Sequence, residues 1–339
     1  MILFDLAPEL DYTLSGRERD PGYGTVRGRR PGSRQGRRQF AGIGDWRVTT
    51  KVLLDTDIGS DIDDAVCLAY LLAQPECELL GITTVGGQAE RRAMLASVLC
   101  RVAGKQVPIY PGCEQPLLIP QRQTEAPQAA ALPNWEHDTR FPRGQAVEFL
   151  RRTIRENPGD IVLLTIGPLS NIGLLFRTDP EVASLLRGLV MMCGVFAGHR
   201  DRPPSLEWNA LCDPHALAIV YRTVARVHRS VGLDVTRQVT MDAKEFRDRL
   251  TSRLHQPVLD FARFWFEERA SVTFHDPLAA ATVFDDQVCV FQRGTVDVDL
   301  TSENAKGMTL WKPDRTGEHE VALEVDSARF FEHYFSVFQ

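Results

Sequence analysis

The stretch Val52-Leu53-Leu54-Asp55-Thr56-Asp57-Ile58-Gly59-Ser60-Asp61-Ile62-Asp63-Asp64 passes from an apolar run straight into a loop of acids. Residues 52–55 read as a short buried strand, and residues 62–72 carry apolar side chains at helical spacing, so the acids occupy a strand-to-helix loop. Outward from this point the alternation continues. Residues 79–85, 107–110, 161–166, 189–196 and 227–233 read as strands, and residues 91–102, 146–155, 170–176 and 215–221 as helices. Regular alternation of this kind predicts an α/β domain with a mostly parallel sheet and helices on both faces. Residues 241–269 read as one long helix or two, and residues 288–325 as short strands forming a small antiparallel extension near the C-terminus. In open parallel sheets ligands bind beyond the carboxyl ends of the strands, which is where the acid loop lies.

Five carboxylates, Asp55, Asp57, Asp61, Asp63 and Asp64, converge on ten residues, and no lysine or arginine stands between Lys51 and Arg91. Helix-capping preferences account for one or two acids at a helix start. A helix N-terminus contributes only about 0.3–1 kcal/mol of stabilisation to a nearby anion, whereas two carboxylates 4 Å apart repel by about 4 kcal/mol at an effective dielectric of 20. A hard divalent cation with oxygen ligands, calcium or magnesium, is the expected remedy.

The remaining composition narrows the partner. Of 339 residues, 43% are hydrophobic and the formal net charge is -6, so no global attraction to nucleic acid or an acidic membrane is expected, and a small molecule is the better partner. No apolar run is long enough for a membrane-spanning helix, and the first residues, with Asp5, Glu9 and Asp11, lack a signal-peptide pattern, so a cytoplasmic location is expected. The seven cysteines show no metal-ligand spacing and read as buried thiols. Residues 1–48 hold eight of the 25 glycines and nine arginines, a composition expected to form a disordered basic tail ahead of one large domain spanning 49–339.

Further along the chain stand Gly81-Ile82-Thr83-Thr84-Val85-Gly86-Gly87, Thr165-Ile166-Gly167-Pro168-Leu169-Ser170-Asn171, Glu207-Trp208-Asn209 with Asp213-Pro214, Gly232-Leu233-Asp234-Val235-Thr236, and His275-Asp276-Pro277-Leu278-Ala279. With the acid loop they make six segments, which in this order resemble the inosine-uridine-preferring nucleoside hydrolase family over about 280 residues. The resemblance implies a single Rossmann-like domain that cleaves the N-glycosidic bond of a ribonucleoside with a Ca2+-bound water. It implies metal ligation by Asp57, Asp64, the main-chain carbonyl of Ile166 and Asp276, with Asp57 as general base. Asp63, Gln88, Glu207 and Asn209 would hold the sugar, and Asp55 and Asp61 would support the loop. His275 is the candidate donor to the departing base, with a helix-capping role as its alternative. Trp135 and His137, on a long loop that looks like the family's closing loop, are candidates for contact with the nucleobase, although an aromatic there can equally anchor the loop. A homodimer or homotetramer is expected by the same resemblance.

Departures from the pattern accompany it. Two extra residues separate Gly59 from Asp63-Asp64, Gln88 stands where the family has asparagine, and Gly198-His199-Arg200-Asp201 supplies no asparagine for the ribose 5′ side. A nucleoside-binding or regulatory protein with little turnover, and a hydrolase of a modified ribosyl substrate, are therefore alternatives. A magnesium-dependent phosphohydrolase using Asp55 as nucleophile is a third, which leaves the later motifs unexplained.

Overall fold

A computed structural model describes residues 49–197 and 206–339, so the basic stretch and the 198–205 connection lie outside the described residues. In chain order the elements are β1 (Thr50–Thr56), α1 (Asp63–Ala73), β2 (Cys77–Thr84), α2 (Ala89–Val102), β3 (Ile109–Pro111), α3 (Ala146–Glu156), β4 (Ile161–Thr165), α4 (Ser170–Thr178) and β5 (Gly188–Met192). There follow α5 (Trp208–Cys212), α6 (Pro214–Tyr221), β6 (His228–Val231), α7 (Leu233–Thr236), β7 (Thr240–Asp242), α8 (Ala243–Arg249), α9 (His255–Trp265), β8 (Ser271–Thr273), α10 (His275–Ala281), β9 (Cys289–Val298), β10 (Thr309–Pro313), β11 (His319–Val325) and α11 (Ser327–Ser336).

Nine strands form one sheet in the order β10-β9-β11-β6-β5-β4-β1-β2-β3. The segment from β3 through β6 to β11 is parallel, and β9 and β10 add the antiparallel edge. Successive side chains of β1 enter opposite cores. Val52 and Leu54 pack with residues of α1, α2, α9, α10 and α11, while Leu53 packs with residues of α3, α4 and α6. A strand covered on both sides loses the polar alternation of a half-exposed one, which is why its run is apolar throughout. Strand order turns back between β1 and β4, because β2 and β3 extend one way and β4, β5 and β6 the other. That switch point opens a crevice at the carboxyl ends of β1 and β4.

The α/β architecture with a small antiparallel part agrees with the sequence reading; the differences are local. The 241–269 stretch takes the two-helix form of its reading, α8 and α9, and differs in the short strands β7, which runs into α8, and β8, which follows α9. Asp242 ends the strand by capping α8, its Oδ1 accepting from Lys244 N and Glu245 N at 2.9 Å. The strand expected to reach 196 stops at Met192, where Gly194 turns with φ 89°. The strand expected to reach 233 stops at Val231, because Gly232 precedes α7. Among the described residues no helix is long and apolar enough to cross a membrane.

Candidate active site

Six segments meet at the switch point: the β1–α1 loop, the Gly86-Gly87 corner after β2, the Ile166-Gly167 turn after β4, the Gly194 turn after β5, the start of α5 and the start of α10. Close approach is built in. A Cβ on Gly167 would lie 2.8 Å from Asp57 Oδ1 and 2.8 Å from Val85. Gly59 adopts φ 126°, which lets the acid loop double back before α1.

Asp63, Asp64 and Asp276 bring carboxylate oxygens within 4.8 Å of one another, all three buried. Thr56 Oγ1 donates to Asp64 Oδ1, and Asp63 Oδ2 accepts from Asp276 N at 3.2 Å, which ties α1 to α10. Burial pushes the pKa of Asp63, Asp64 and Asp276 well above the ordinary carboxylate range, and their neighbouring acids push in the same direction. Asp57 is also buried and raised mainly by burial, but Arg92 and a hydrogen bond from the Gln123 side chain oppose the shift. The converging trio therefore contains Asp63, which the resemblance gave to the sugar, and Asp57 lies beside it against Gly167 and Gln123.

Asp55 is fully enclosed; its Oδ1 accepts from Thr83 Oγ1 and from Asn171 Nδ2 at 2.7 Å, and burial raises its pKa to about 7. A carboxylate so walled in has no open face for a phosphoryl group, which removes the nucleophile role of the phosphohydrolase alternative. Asp61 lies just ahead of α1, with Oδ1 accepting from Ile62 N at 2.6 Å, and is raised to about 7 by burial. Glu207 is buried at the start of α5, accepting from Asn209 N at 2.7 Å, Ala210 N at 2.9 Å, Gly194 N at 3.3 Å and Cys193 Sγ at 3.2 Å. Asn209 Nδ2 donates to the Ile166 carbonyl at 2.9 Å, so Ile166, Glu207 and Asn209 form one contiguous wall. His275 begins α10, its Nδ1 is 2.7 Å from Thr236 Oγ1, and burial, aided by Arg237, lowers its pKa to about 4.

Three sequence-derived candidates, Trp135, His137 and Gln88, have hydrogen-bond partners within the chain. Trp135 Nε1 donates to Asp260 Oδ2 at 3.0 Å, beside Asn134 Nδ2 at 2.9 Å, so the indole anchors its segment to α9. His137 folds back on the Trp135 carbonyl at 2.8 Å and lines a cavity of about 630 Å³ together with Gln88, Arg91 and Pro127. Gln88 takes the left-handed backbone conformation at φ 61°, and its Oε1 accepts from Ala126 N at 3.1 Å, which commits the amide to the 121–128 segment. Although no cation stands in the acid loop's own stretch of sequence, the fold supplies one. Arg92, from α2, is fully buried under the loop and donates to the Asp57 carbonyl. Arg92 shares the buried face of α2 with Ala89, Ala93 and Ala96, and an arginine in that apolar register is the signal that could have identified it. Gln123, with Nε2 2.8 Å from Ser60 Oγ and Oε1 3.2 Å from Trp208 Nε1, had no sequence signal because it sits in a long irregular segment.

A family model described as inosine-uridine preferring nucleoside hydrolase matches residues 52–332. The inosine-uridine preferring nucleoside hydrolase of Crithidia fasciculata is 30% identical over 307 residues, covering 83% of this chain and 95% of that protein. A probable uridine nucleosidase 2 of Oryza sativa subsp. japonica is 31% identical over 284 residues, covering 76% and 81%. Among solved structures, a purine-preferring ribonucleoside hydrolase from Gardnerella vaginalis shares the fold with a TM-score of 0.74 at 24% identity, covering 85% of this chain and 98% of that one. With the match spanning the acid loop, both walls of the crevice and the His275-Asp276 helix, the chain belongs to the inosine-uridine preferring nucleoside hydrolase family, whose members hydrolyse the N-glycosidic bond of ribonucleosides.

Proposed function

We propose that the protein releases a free nucleobase and ribose from a ribonucleoside at this crevice, with Ca2+ as its resident cation and Asp57 as the general base. The observation that carries the reading is the buried convergence of Asp63, Asp64 and Asp276 beside Asp57 and within the Glu207–Asn209 wall. The donor set fits the ion. It is entirely oxygen, which suits a hard cation, and calcium takes about six to eight such ligands. Carboxylates raised this far by burial require either protons or a metal charge to be stable together.

Asp57, Asp64, Asp276 and the Ile166 carbonyl would hold the ion; the carbonyl already accepts one bond from Asn209 and has a second lone pair. When bound, the cation supplies a water of lowered pKa. Asp57 accepts the proton of the attacking water. Asp63, Glu207 and Asn209 hold the ribose hydroxyls, and the negative charge of the two carboxylates stabilises the positive charge that develops at C1′ as the base departs. His275 is neutral at pH 7 with a pKa of about 4, so it serves as an N–H donor to the departing base and not as an imidazolium acid. A homodimer or homotetramer is part of the same reading.

Single-turnover release of ribose from a panel of nucleosides, with calcium present or chelated, tests the proposal. Wild type should release ribose in proportion to bound calcium, and Asp276→Asn should lose both turnover and terbium luminescence at the site. Tight nucleoside binding without ribose release across the panel would support the regulatory alternative and sink the hydrolytic one.

A further inference from the structure

Arg92 is the most completely engaged buried cation among the described residues. Its Nε donates to the Gly87 carbonyl at 2.9 Å, and Nη1 donates to the carbonyls of Asp57 and Ile58, the latter at 3.2 Å, and to Ser60 Oγ at 3.2 Å. Nη2 donates to the Glu125 carbonyl at 2.9 Å. These partners are four carbonyls and a hydroxyl, with no carboxylate, and they come from three segments far apart in the chain. Burying a guanidinium costs desolvation energy that an apolar side chain of similar size avoids. Tight packing alone therefore does not account for it, whereas a planar fork that fixes several acceptors at set angles does.

The segments it joins meet at the catalytic carboxylate. Gln128 N donates to the Gly59 carbonyl at 3.1 Å, and its Nε2 donates to the carbonyls of Ser60 at 3.1 Å and Asp61 at 2.9 Å. Gly87 N donates to the Gln123 carbonyl at 3.0 Å. So anchored, Gln123 reaches Ser60, Trp208 and the Asp57 carboxylate. We propose that Arg92 is a positioning residue for the hydrolysis: one guanidinium fixes the main chain of Asp57 and, through the Glu125 carbonyl, sets the 121–128 segment so that Gln123 meets Asp57. The proposal rests on the hydrolase reading above. It makes this segment a fixed wall of the site in the substrate-free protein, held by the same cation that holds the acid loop.

The test compares wild type, Arg92→Met, Arg92→Lys and Arg92→Ala as full-length, calcium-loaded protein. Arg92→Met should lower kcat about a hundredfold, the scale of a small misplacement at a reacting centre, with KM changed by less than about threefold. Hydrogen exchange should rise together in residues 57–62 and 121–128 while α4 keeps its protection. Millimolar guanidinium, but not methylammonium, should restore turnover to Arg92→Ala, because the fork and not the charge alone is missing. A kcat for Arg92→Met within about threefold of wild type, faster exchange in only one of the two segments, or a uniform rise that includes α4 would overturn the assignment. If Arg92→Met does not fold, Arg92→Lys, which keeps the charge and loses the fork, decides by the same criteria. Should wild type release no ribose, the hydrolase reading fails, and the exchange comparison still decides whether Arg92 couples the two segments.

Discussion

His275 shows how a single residue's role follows from its surroundings. Its Nδ1 is paired with the Thr236 hydroxyl at 2.7 Å, and a pKa of about 4 keeps the ring neutral throughout the physiological range. Changing His275 to Ala should therefore slow nucleosides with poorly leaving bases far more than a nitrophenyl riboside, whose departure needs no proton. The gap should be about a hundred- to ten-thousand-fold, the usual scale of assistance by a positioned acid or donor. Equal losses on both substrates, measured as kcat/KM, would instead assign His275 to the positioning of Asp276. At this scale the chain was partly legible. The acids were conspicuous because five in ten residues demand compensation, whereas Arg92, marked only by its apolar register, was hidden by a separation of 35 residues from the carbonyl that it meets.

Elements place these side chains, and the 116–142 segment is the instructive one. Its length and its resemblance to a closing loop suggested Trp135 as a platform for the nucleobase, yet Pro127–Asn134 forms a 3-10 helix whose end is bound to α9 through Asp260. Trp135→Phe keeps the ring and removes the N–H. It should leave KM for a nucleoside unchanged and lower stability by about 1 kcal/mol, the net contribution of one hydrogen bond, as read by urea unfolding. A rise in KM of tenfold or more, roughly 1.4 kcal/mol of binding, would return the indole to the base site. Strand and helix identities were readable because periodicity survives in a single sequence. Their ends at Met192 and Val231 were not, because the Gly194 turn and the close approach of extended Gly232 to the Gly194 carbonyl answer to the packing of the crevice and not to the local pattern.

Across the whole molecule the sheet buries titratable groups whose charge states link stability to pH. His228, on β6, is enclosed without a hydrogen-bond partner, stacked on Tyr221 at 5.3 Å and edge-on to His319 at 4.8 Å. Burial, with a further push from His319, lowers its pKa from 6.5 to about 3. The unfolded chain takes up this proton near pH 6.5 and the folded one only near 3. The stability gained by keeping the ring neutral is thus complete above pH 6.5 and lost progressively below it, at about 1.4 kcal/mol per pH unit. His228→Phe should remove that slope, so its stability relative to wild type should rise by about 2 kcal/mol between pH 7.5 and pH 5 in urea unfolding. A difference independent of pH would show that His228 is already charged in the folded protein. Without a bound cation, Asp63, Asp64 and Asp276 act in the opposite sense, since raised carboxylates are destabilising as pH rises; comparing variant with wild type under the same conditions cancels this shared background.

What the sequence by itself determined was the α/β architecture, the strand-to-helix setting of the acids and the ordered motifs that carry the family. All are encoded within short windows, where apolar period and residue type report directly on burial and chemistry. Tertiary structure alone decided which carboxylates converge, that Asp63 and not Asp57 completes the tight trio, that Gln88 accepts from Ala126 N and Trp135 donates to Asp260 on α9, and that Arg92 lies beneath the acid loop. Those outcomes depend on hydrogen-bond geometry between segments tens to hundreds of residues apart. Such contacts leave no trace in local periodicity and exist only once the switch point between β1 and β4 has brought the chain back on itself.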